Sequence, residues 1–433
     1  MTFSCISIIV GTVKRQAQKS PPSGWISLAG ISFVLLLLVP VGAAAAAVSA
    51  PLDEKEIKSL IPMLKAHDAL GITRFDEKGS PRDVTMAVRI AANRDTILNI
   101  FRDPDNFYFV STLFKENTVL DEHENAMVWS WASRHKILSV TGRNSLVMYP
   151  PRRVDVTIEE SSVGKGTYTF QFYPDGKDHT IMIFSGFLDV NSSEWLIRFL
   201  VGDNPSMKQA MNIAIGLVVL KGVKDLAERM EKKKPNRPHQ TGGESGGPPR
   251  LLSDEEMATL KPLLTRGQIF LCDSHKGGRL SQVSVVDIAD TSEMAFRQAA
   301  ANPHNYAKYI GAISNIQVQQ ESAEKTTFSW TIGLSIFGLN SVNELSPTSD
   351  GVALNAVSGD LEGAVWRWQT AALGNHRTLV AYHAFADVGK MSAILQTTVK
   401  REPYLEHGLV LGSNIVMVKA MKKIVENTDK GSH

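Results

Sequence analysis

Cysteine is nearly absent from this chain: among 433 residues only Cys5 and Cys272 carry a thiol. Cys5 falls in a leader segment, so Cys272 stands alone in the body, and neither an intrachain disulfide nor a cysteine-based metal site is expected. In Ile269-Phe270-Leu271-Cys272 it reads as a small buried hydrophobe. Net charge is equally scarce, at +2. No basic face is clustered in the sequence, which argues against nucleic acid and against an anionic membrane surface as partners. The signatures of common chemistries are missing as well: there is no Gly-x-Ser-x-Gly, no His-Glu-x-x-His and no P-loop. Gly164-Lys165-Gly166 lies in a hairpin turn rather than between strand and helix. The histidines are scattered, and the acidic Asp121-Glu122-His123-Glu124 reads as a solvated turn. No cofactor and no metal follow from this inventory.

What is present begins with a leader, 1–50. Lys14, Arg15 and Lys19 precede an apolar run, Ile26–Val39, which Pro40 and Gly42 break before the small residues Ala43–Ala50. That order marks an export signal, with a cut expected inside the alanine run because Pro51 follows Ser49-Ala50. The competing reading is an uncleaved anchor, since 26–48 is long enough to span a bilayer. Both put the body outside the cytoplasm, in the periplasm or on the outer face of the inner membrane.

The body is one module used twice. Val84–Phe107 reads as an alternating strand, a short helix and a Pro-Asx-Asn-aromatic turn. It returns without a gap as Val283–Tyr306, with Pro104-Asp105-Asn106-Phe107 falling on Pro303-His304-Asn305-Tyr306. The short acidic helices at Leu52–Ala69 and Leu251–Leu264 match through Leu60/Leu260 and Pro62/Pro262. Further on, Phe187 matches Phe385, Pro205 matches Pro403 and Lys221 matches Lys419. Each copy continues in about six strands with period-two burial. Each ends in a long helix, predicted over Ser206–Met230 and Pro403–Glu426, that is too apolar to lie on a surface. Between them Glu231–Arg250, rich in Gly, Pro and charge, reads as a flexible linker. The expected domains are therefore 51–230 and 251–433, joined by 231–250.

A strand, two short helices, a run of antiparallel strands and a long closing helix make an α+β helix-grip unit, a curved sheet wrapped around one helix. The order resembles the START-like (SRPBCC) superfamily of polyketide cyclase/dehydrase, lipid-transport and coenzyme-Q-binding domains, in two tandem copies. The resemblance rests on the two strand–helix–Pro-Asx-Asn-aromatic stretches, the strand runs and the closing helices, and it covers most of the chain. It implies a hydrophobic or amphipathic ligand, such as a lipid, sterol, quinone or polyketide, held between sheet and helix.

The candidate ligand-contacting residues follow from alternation. Trp129 and Trp131 share a strand face, as do Tyr168 and Phe170; Trp330, Trp366 and Trp368 take the matching places in the second copy. They read either as the aromatic wall of a cavity or as ordinary core. Met207, Met211 and Ile215 on the first closing helix, with Leu411 and Ile415 on the second, form the opposite wall under the first reading. Arg134, His135 and His383 are the polar candidates for orienting a headgroup, with an exposed strand end as the plainer reading for the first two and a satisfied core histidine for the third. The expectation is an exported binder or carrier of a hydrophobic small molecule, not an enzyme, with at most transient membrane contact. The alternatives are a cyclase- or hydrolase-like enzyme acting on a cavity-bound substrate, and a non-binding envelope interaction protein.

Overall fold

The computed structural model describes residues 52–133, 139–193, 205–234, 247–275, 278–310, 313–333, 338–391, 396, 400, 402 and 404–430. The leader, Arg134, His135 and positions 235–246 of the linker lie outside the described residues.

The first half holds β1 (Ala69–Phe75), β2 (Pro81–Ile90), β3 (Glu116–His123), β4 (Ala126–Ser133), β5 (Val140–Tyr149), β6 (Arg153–Ser161), β7 (Lys165–Pro174) and β8 (Thr180–Asp189). The second repeats them as β9 (Gln268–Ser274), β10 (Leu280–Ala289), β11 (Ile313–Glu321), β12 (Thr326–Gly333), β13 (Gly338–Thr348), β14 (Gly351–Gly359), β15 (Val365–Gly374) and β16 (Arg377–Phe385). All sixteen pair antiparallel in one sheet, ordered β11-β12-β13-β14-β15-β16-β10-β9-β1-β2-β8-β7-β6-β5-β4-β3. Read from the β1–β9 seam, the order is the same in both directions. Each half is closed on its concave side by one long helix, Pro205–Glu231 or Tyr404–Lys430. This is the expected α+β architecture of two helix-grip units.

The seam itself was not expected. At its centre Gly71 pairs with Phe270, and the flanking pairs are Leu70↔Leu271 and Ile72↔Ile269. Gly71 and Phe270 hold the same place in their two copies, so a pseudo-twofold axis passes between them. The symmetry is broken there in favour of one ring: a Cβ on Gly71 would stand 2.1 Å from Phe270 Cζ. Only glycine lets that ring lie across the neighbouring strand. Sequence reading began each sheet at β2 and β10 and missed β1 and β9, for a physical reason. Their first five residues are all buried. A strand covered on both faces loses the alternation by which strands are recognised. Cys272 is one of these residues, fully buried, with its thiol pKa pushed well up by burial.

The outer cover comes from the short N-terminal helix of each half. Both start with a capping box, Asp53 with Glu56 and Ser253 with Glu256. Ile57, Leu60, Leu64, Leu260 and Leu263 pack there on Leu70, Ile72, Ile269, Leu271, Ile181 and Leu379. Ion pairs reach across the seam in matching positions. Arg266 binds Glu56, and His67, two residues before β1 as Arg266 is before β9, meets Glu256 at 3.3 Å and Asp273 at 2.9 Å.

Beneath the sheet the closing helices touch each other through small residues. A Cβ on Gly408 would stand 2.5 Å from Ala214 Cα, and one on Gly412 2.4 Å from Ala210 Cβ. By the matches Pro205/Pro403 and Lys221/Lys419, Ala210 corresponds to Gly408 and Ala214 to Gly412, so this crossing lies on the same pseudo-axis. Beside it Lys221 donates to Ser274 Oγ at 2.6 Å and pairs with Asp68 at 3.3 Å. Burial alone would raise the Asp68 pKa, but Lys221 and Lys224 bring it down to about 2.

Candidate functional site

Each concave face is an aromatic wall. In the first half Met127, Trp129 and Trp131 point inward from β4, and Tyr168, Phe170 and Phe172 from β7. These rings are packed on others: Trp129 stacks on Phe107 at 5.5 Å, Phe170 lies 4.9 Å from Phe101, and Tyr168 lies 4.8 Å from Phe184. In the second half Trp330 and Trp366 meet edge to face at 6.1 Å, and Trp368 lies 4.1 Å from Tyr382. Both walls belong to one continuous core. Met207, Met211 and Ile215 are half-buried against it, whereas Leu411 and Ile415 are fully buried within it.

The first closing helix is held at one end by side chains that bond strand backbone. Asn212 accepts from Leu188 N at 2.6 Å and donates to Leu188 O at 3.0 Å. Gln209 donates to Asp83 O at 2.9 Å and also to Thr73. These bonds fix the helix against β8 and β2.

His383 is a correction. It was a candidate for orienting a ligand headgroup, with a satisfied core histidine as the plainer reading, and it lies on the face of the sheet opposite the tryptophans. Across β15–β16 Trp366 pairs with Ala384 and Trp368 with Tyr382, while His383 pairs with Arg367. The two-residue period of the strand therefore turns it away from the tryptophans. There Gln369 Oε1 accepts from its Nε2 at 3.1 Å, and its Nδ1 meets Ser284 Oγ at 2.7 Å, which suits a neutral ring with Nε2 protonated and Ser284 donating. Burial first, then Arg250 and Arg367, lower its pKa to about 3.

Two matching hollows lie near the ends of the outer strands, lined mostly by side chains in the strand phase opposite to the aromatic walls. The first, of about 660 Å³, is lined by Thr118, Ser130, Trp131, Gly142, Arg143 and Ser162 among others. The second, of about 290 Å³, has Gln317, Ser329, Trp330, Ser341 and Val342 at the corresponding places. Pockets that hold drug-sized ligands run from about 300 to 1,000 Å³, so the first hollow is in that range and the second falls just short.

The interiors of the two halves differ more than these volumes do. Trp330 Nε1 donates to Ser341 Oγ at 2.6 Å, and Ser341 Oγ donates to Asn343 Oδ1 at 3.1 Å. In the first half Gly142 stands where Ser341 does, and the Trp131 ring lies on it, 2.5 Å from where a Cβ would be. Trp131 Nε1 and Asn144 Oδ1 are then buried with no hydrogen-bond partner, and so are Trp129 Nε1, Asn117 Oδ1 and Tyr168 Oη. Register sets Asn117 opposite Trp131 and Asn144 opposite Trp129. The counterparts of Asn117 and Trp129 are Ile316 and Phe328, which have no polar side-chain atom. The second half has unpartnered polar atoms elsewhere, on Tyr382 and on Asn414 of its closing helix, where the first half has Gly216.

Asn117, Gly142, Asn144, Ser341 and Asn343 were missed from sequence. A signal was present for one of them: Asn144 is in phase with Leu146 and Met148, a polar side chain in the apolar phase of its strand. The Ser274–His407 contact, 2.9 Å between Oγ and Nε2, was also missed. It joins β9 to the second closing helix, two elements far apart in sequence, and with Lys221 it belongs to the seam. Among the described residues no group of three or more His, Cys, Asp or Glu is placed to hold a metal, and no helix is long and apolar enough to cross a membrane.

No family model and no curated protein matches the chain. Among solved structures it is similar to the di-domain ARO/CYC StfQ from the steffimycin biosynthetic pathway, at 11% identity and TM-score 0.29, over 80% of this chain and 99% of that one. A START superfamily protein from Mycobacterium smegmatis matches at 16% identity and TM-score 0.29, over 34% of this chain and 98% of that one. A STAR-related lipid transfer protein from Xanthomonas axonopodis matches at 14% identity and TM-score 0.27, over 41% of this chain and 96% of that one. The helix-grip description of each half rests on its own strand order and closing helix.

Proposed function

We propose that this protein binds a hydrophobic or amphipathic small molecule between the sheet and closing helix of its first half, and carries or presents it outside the cytoplasm. The observation that supports the binding reading is the aromatic concave wall of that half, closed by one long helix whose Met207, Met211 and Ile215 are only half-buried against it. Binding energy comes chiefly from apolar ligand surface removed from water, about 25 cal/mol per Å². The candidate contacts there are Trp129, Trp131, Tyr168 and Phe170 on the sheet, with Met207, Met211 and Ile215 on the helix. Trp330, Trp366, Trp368, Leu411 and Ile415 form the matching wall of the second half, whose role in this proposal is to complete the sheet at the seam. The leader 1–50 supports export, with 26–48 as the anchor if it is retained, and 231–250 is the boundary between the halves.

Titration of the full-length body with an environment-sensitive apolar fluorophore tests binding. Saturable uptake, competed by a quinone, a sterol or a polyketide, is the expected result. No saturable uptake would leave the enzyme and envelope-interaction readings. Separately, fractionation with N-terminal sequencing tests location: a mature start inside Ala43–Ala47 in the periplasmic fraction supports cleaved export, and an intact leader in the membrane fraction supports the anchor.

A further inference from the structure

We infer that Phe107–Phe114 is a lid between the closing helix and the aromatic wall of the first half, and that Glu402, a residue of the second half, is the latch that holds it shut. Lid and latch stand on geometry alone; their role in ligand entry rests on the binding reading above.

The lid bridges helix and sheet. It consists of a short helix, Phe107–Val110, and a single turn, Thr112–Phe114. On one side it lies on the first closing helix: a Cβ on Gly222 would stand 2.1 Å from Val110 O, so the close approach of the two backbones requires glycine. On the other side Phe107 stacks on Trp129 at 5.5 Å, and Phe114 meets Trp131 edge to face at 5.3 Å. Ser133, the last residue of β4, donates from Oγ to Thr112 O at 3.0 Å. The segment therefore spans from the closing helix to the same tryptophans that make the wall.

The latch comes from the other half. Glu402 Oε2 accepts from Ser111 Oγ at 2.7 Å, from Thr112 N at 3.1 Å and from Thr112 Oγ1 at 3.3 Å. Ser111 and Glu402 are both more than nine-tenths buried. Ser111 and Thr112 join the short helix to the turn, so one carboxylate oxygen grips the middle of the lid. Hydrogen bonds to a charged acceptor are among the stronger ones. Glu402 stands two residues before the second closing helix, whose Tyr404 donates to Asp225 of the first closing helix. Anything that moves the start of the second closing helix thus pulls on the lid of the first half.

The second half is fastened differently. Ser111 and Thr112 correspond to Ile310 and Gly311, which carry no hydroxyl. Its short helix, Pro303–Tyr309, is tied from within: Tyr306 Oη donates to Ala300 O at 2.8 Å and accepts from Trp368 Nε1 at 3.1 Å. Phe107, in the place of Tyr306, has no oxygen for those bonds. One lid is held by its own half and the other by its neighbour.

A lid that is shut before and after binding is open only during passage. Its latch then sets the rates of uptake and release and leaves the equilibrium affinity nearly unchanged.

The test combines hydrogen exchange and stopped-flow uptake of Nile red, a neutral apolar fluorophore, on the full-length chain. Glu402→Ala is expected to speed exchange of the amides of 108–114 by about tenfold or more, the size of a lost hydrogen bond to a charged group. The amides of Tyr306–Tyr309 should be unchanged. Glu402→Gln keeps an acceptor oxygen and should give a smaller increase. Ser111→Ala should speed lid exchange in the natural chain and add little in the Glu402→Ala background. Nile red uptake and release should both be at least about fivefold faster in Glu402→Ala, with Kd within about twofold. Unchanged exchange at the lid, or equal acceleration at Tyr306–Tyr309, would overturn the latch. Faster exchange with unchanged Nile red rates would overturn its role in entry and spare the binding reading. Absence of Nile red binding would sink the binding reading and the role in entry together, and exchange would still decide the latch.

Discussion

The two halves share an ancestor's plan and differ where it matters for chemistry. Around Trp330 the interior answers its own polar groups through Ser341 and Asn343. Around Trp131 the matching groups have no protein partner, and Gly142 stands where the second half has Ser341. The hollow on the outer strands of the first half is more than double the size of its counterpart in the second. The comparison teaches that two copies of one unit can keep the same wall of rings and differ in how the polar groups among them are paired.

The sharpest way to break the comparison is at its axis. Phe270→Ala should cost about 3–5 kcal/mol, as for other buried phenylalanines, read as a lower midpoint in chemical denaturation. Exchanging the two axis residues, Gly71→Phe with Phe270→Gly, should restore most of that loss if the seam is a true pseudo-twofold. A swap as unstable as the single change would show that the surroundings of the ring are not equivalent. Next in size is the helix crossing. Gly412→Leu forces the closing helices apart at Ala210 and should cost about 1–3 kcal/mol. Ser341→Gly removes the partner of Trp330 and Asn343 and should also cost about 1–3 kcal/mol.

The smallest effect in ordinary buffers comes from pH. His383 has its folded pKa lowered to about 3 from a usual value of 6.5. Its contribution is complete above pH 6.5, where both folded and unfolded forms are neutral. Below that the unfolded chain takes up a proton that the folded chain does not, so stability falls toward pH 3 by at most about 1.4 kcal/mol per pH unit. Asp68 adds a second loss from pH 3.8 down to about 2, as its carboxylate is protonated away from Lys221. His383→Gln should flatten the first window and leave the second. An unchanged slope between pH 6.5 and 4 would mean that another group is responsible.

The duplicated plan was legible in the sequence because the outer strands have one apolar face and so alternate, and because Pro104-Asp105-Asn106-Phe107 repeats as Pro303-His304-Asn305-Tyr306. The aromatic positions of both walls were legible for the same reason. The joining of the halves was not. β1 and β9 are covered on both sides, by the short N-terminal helices outside and the closing helices inside, so Leu70 and Gly71 give no period to read. His383 was misplaced because Ala381 and Phe385 beside it are apolar, while the face that decides its role is set by the pairing of β16 with β15. The open polar set was invisible for a further reason. Whether Trp131 has a partner depends on Gly142 across the ladder, and neither residue is unusual by itself.

Native mass spectrometry of the full-length chain, isolated without organic solvent and followed by extraction of whatever is bound, tests the central claim most directly. The account predicts a hydrophobic or amphipathic molecule held in stoichiometric amount and lost when Trp129 and Trp131 are both changed to alanine. No bound molecule, or one kept in that variant, would contradict it.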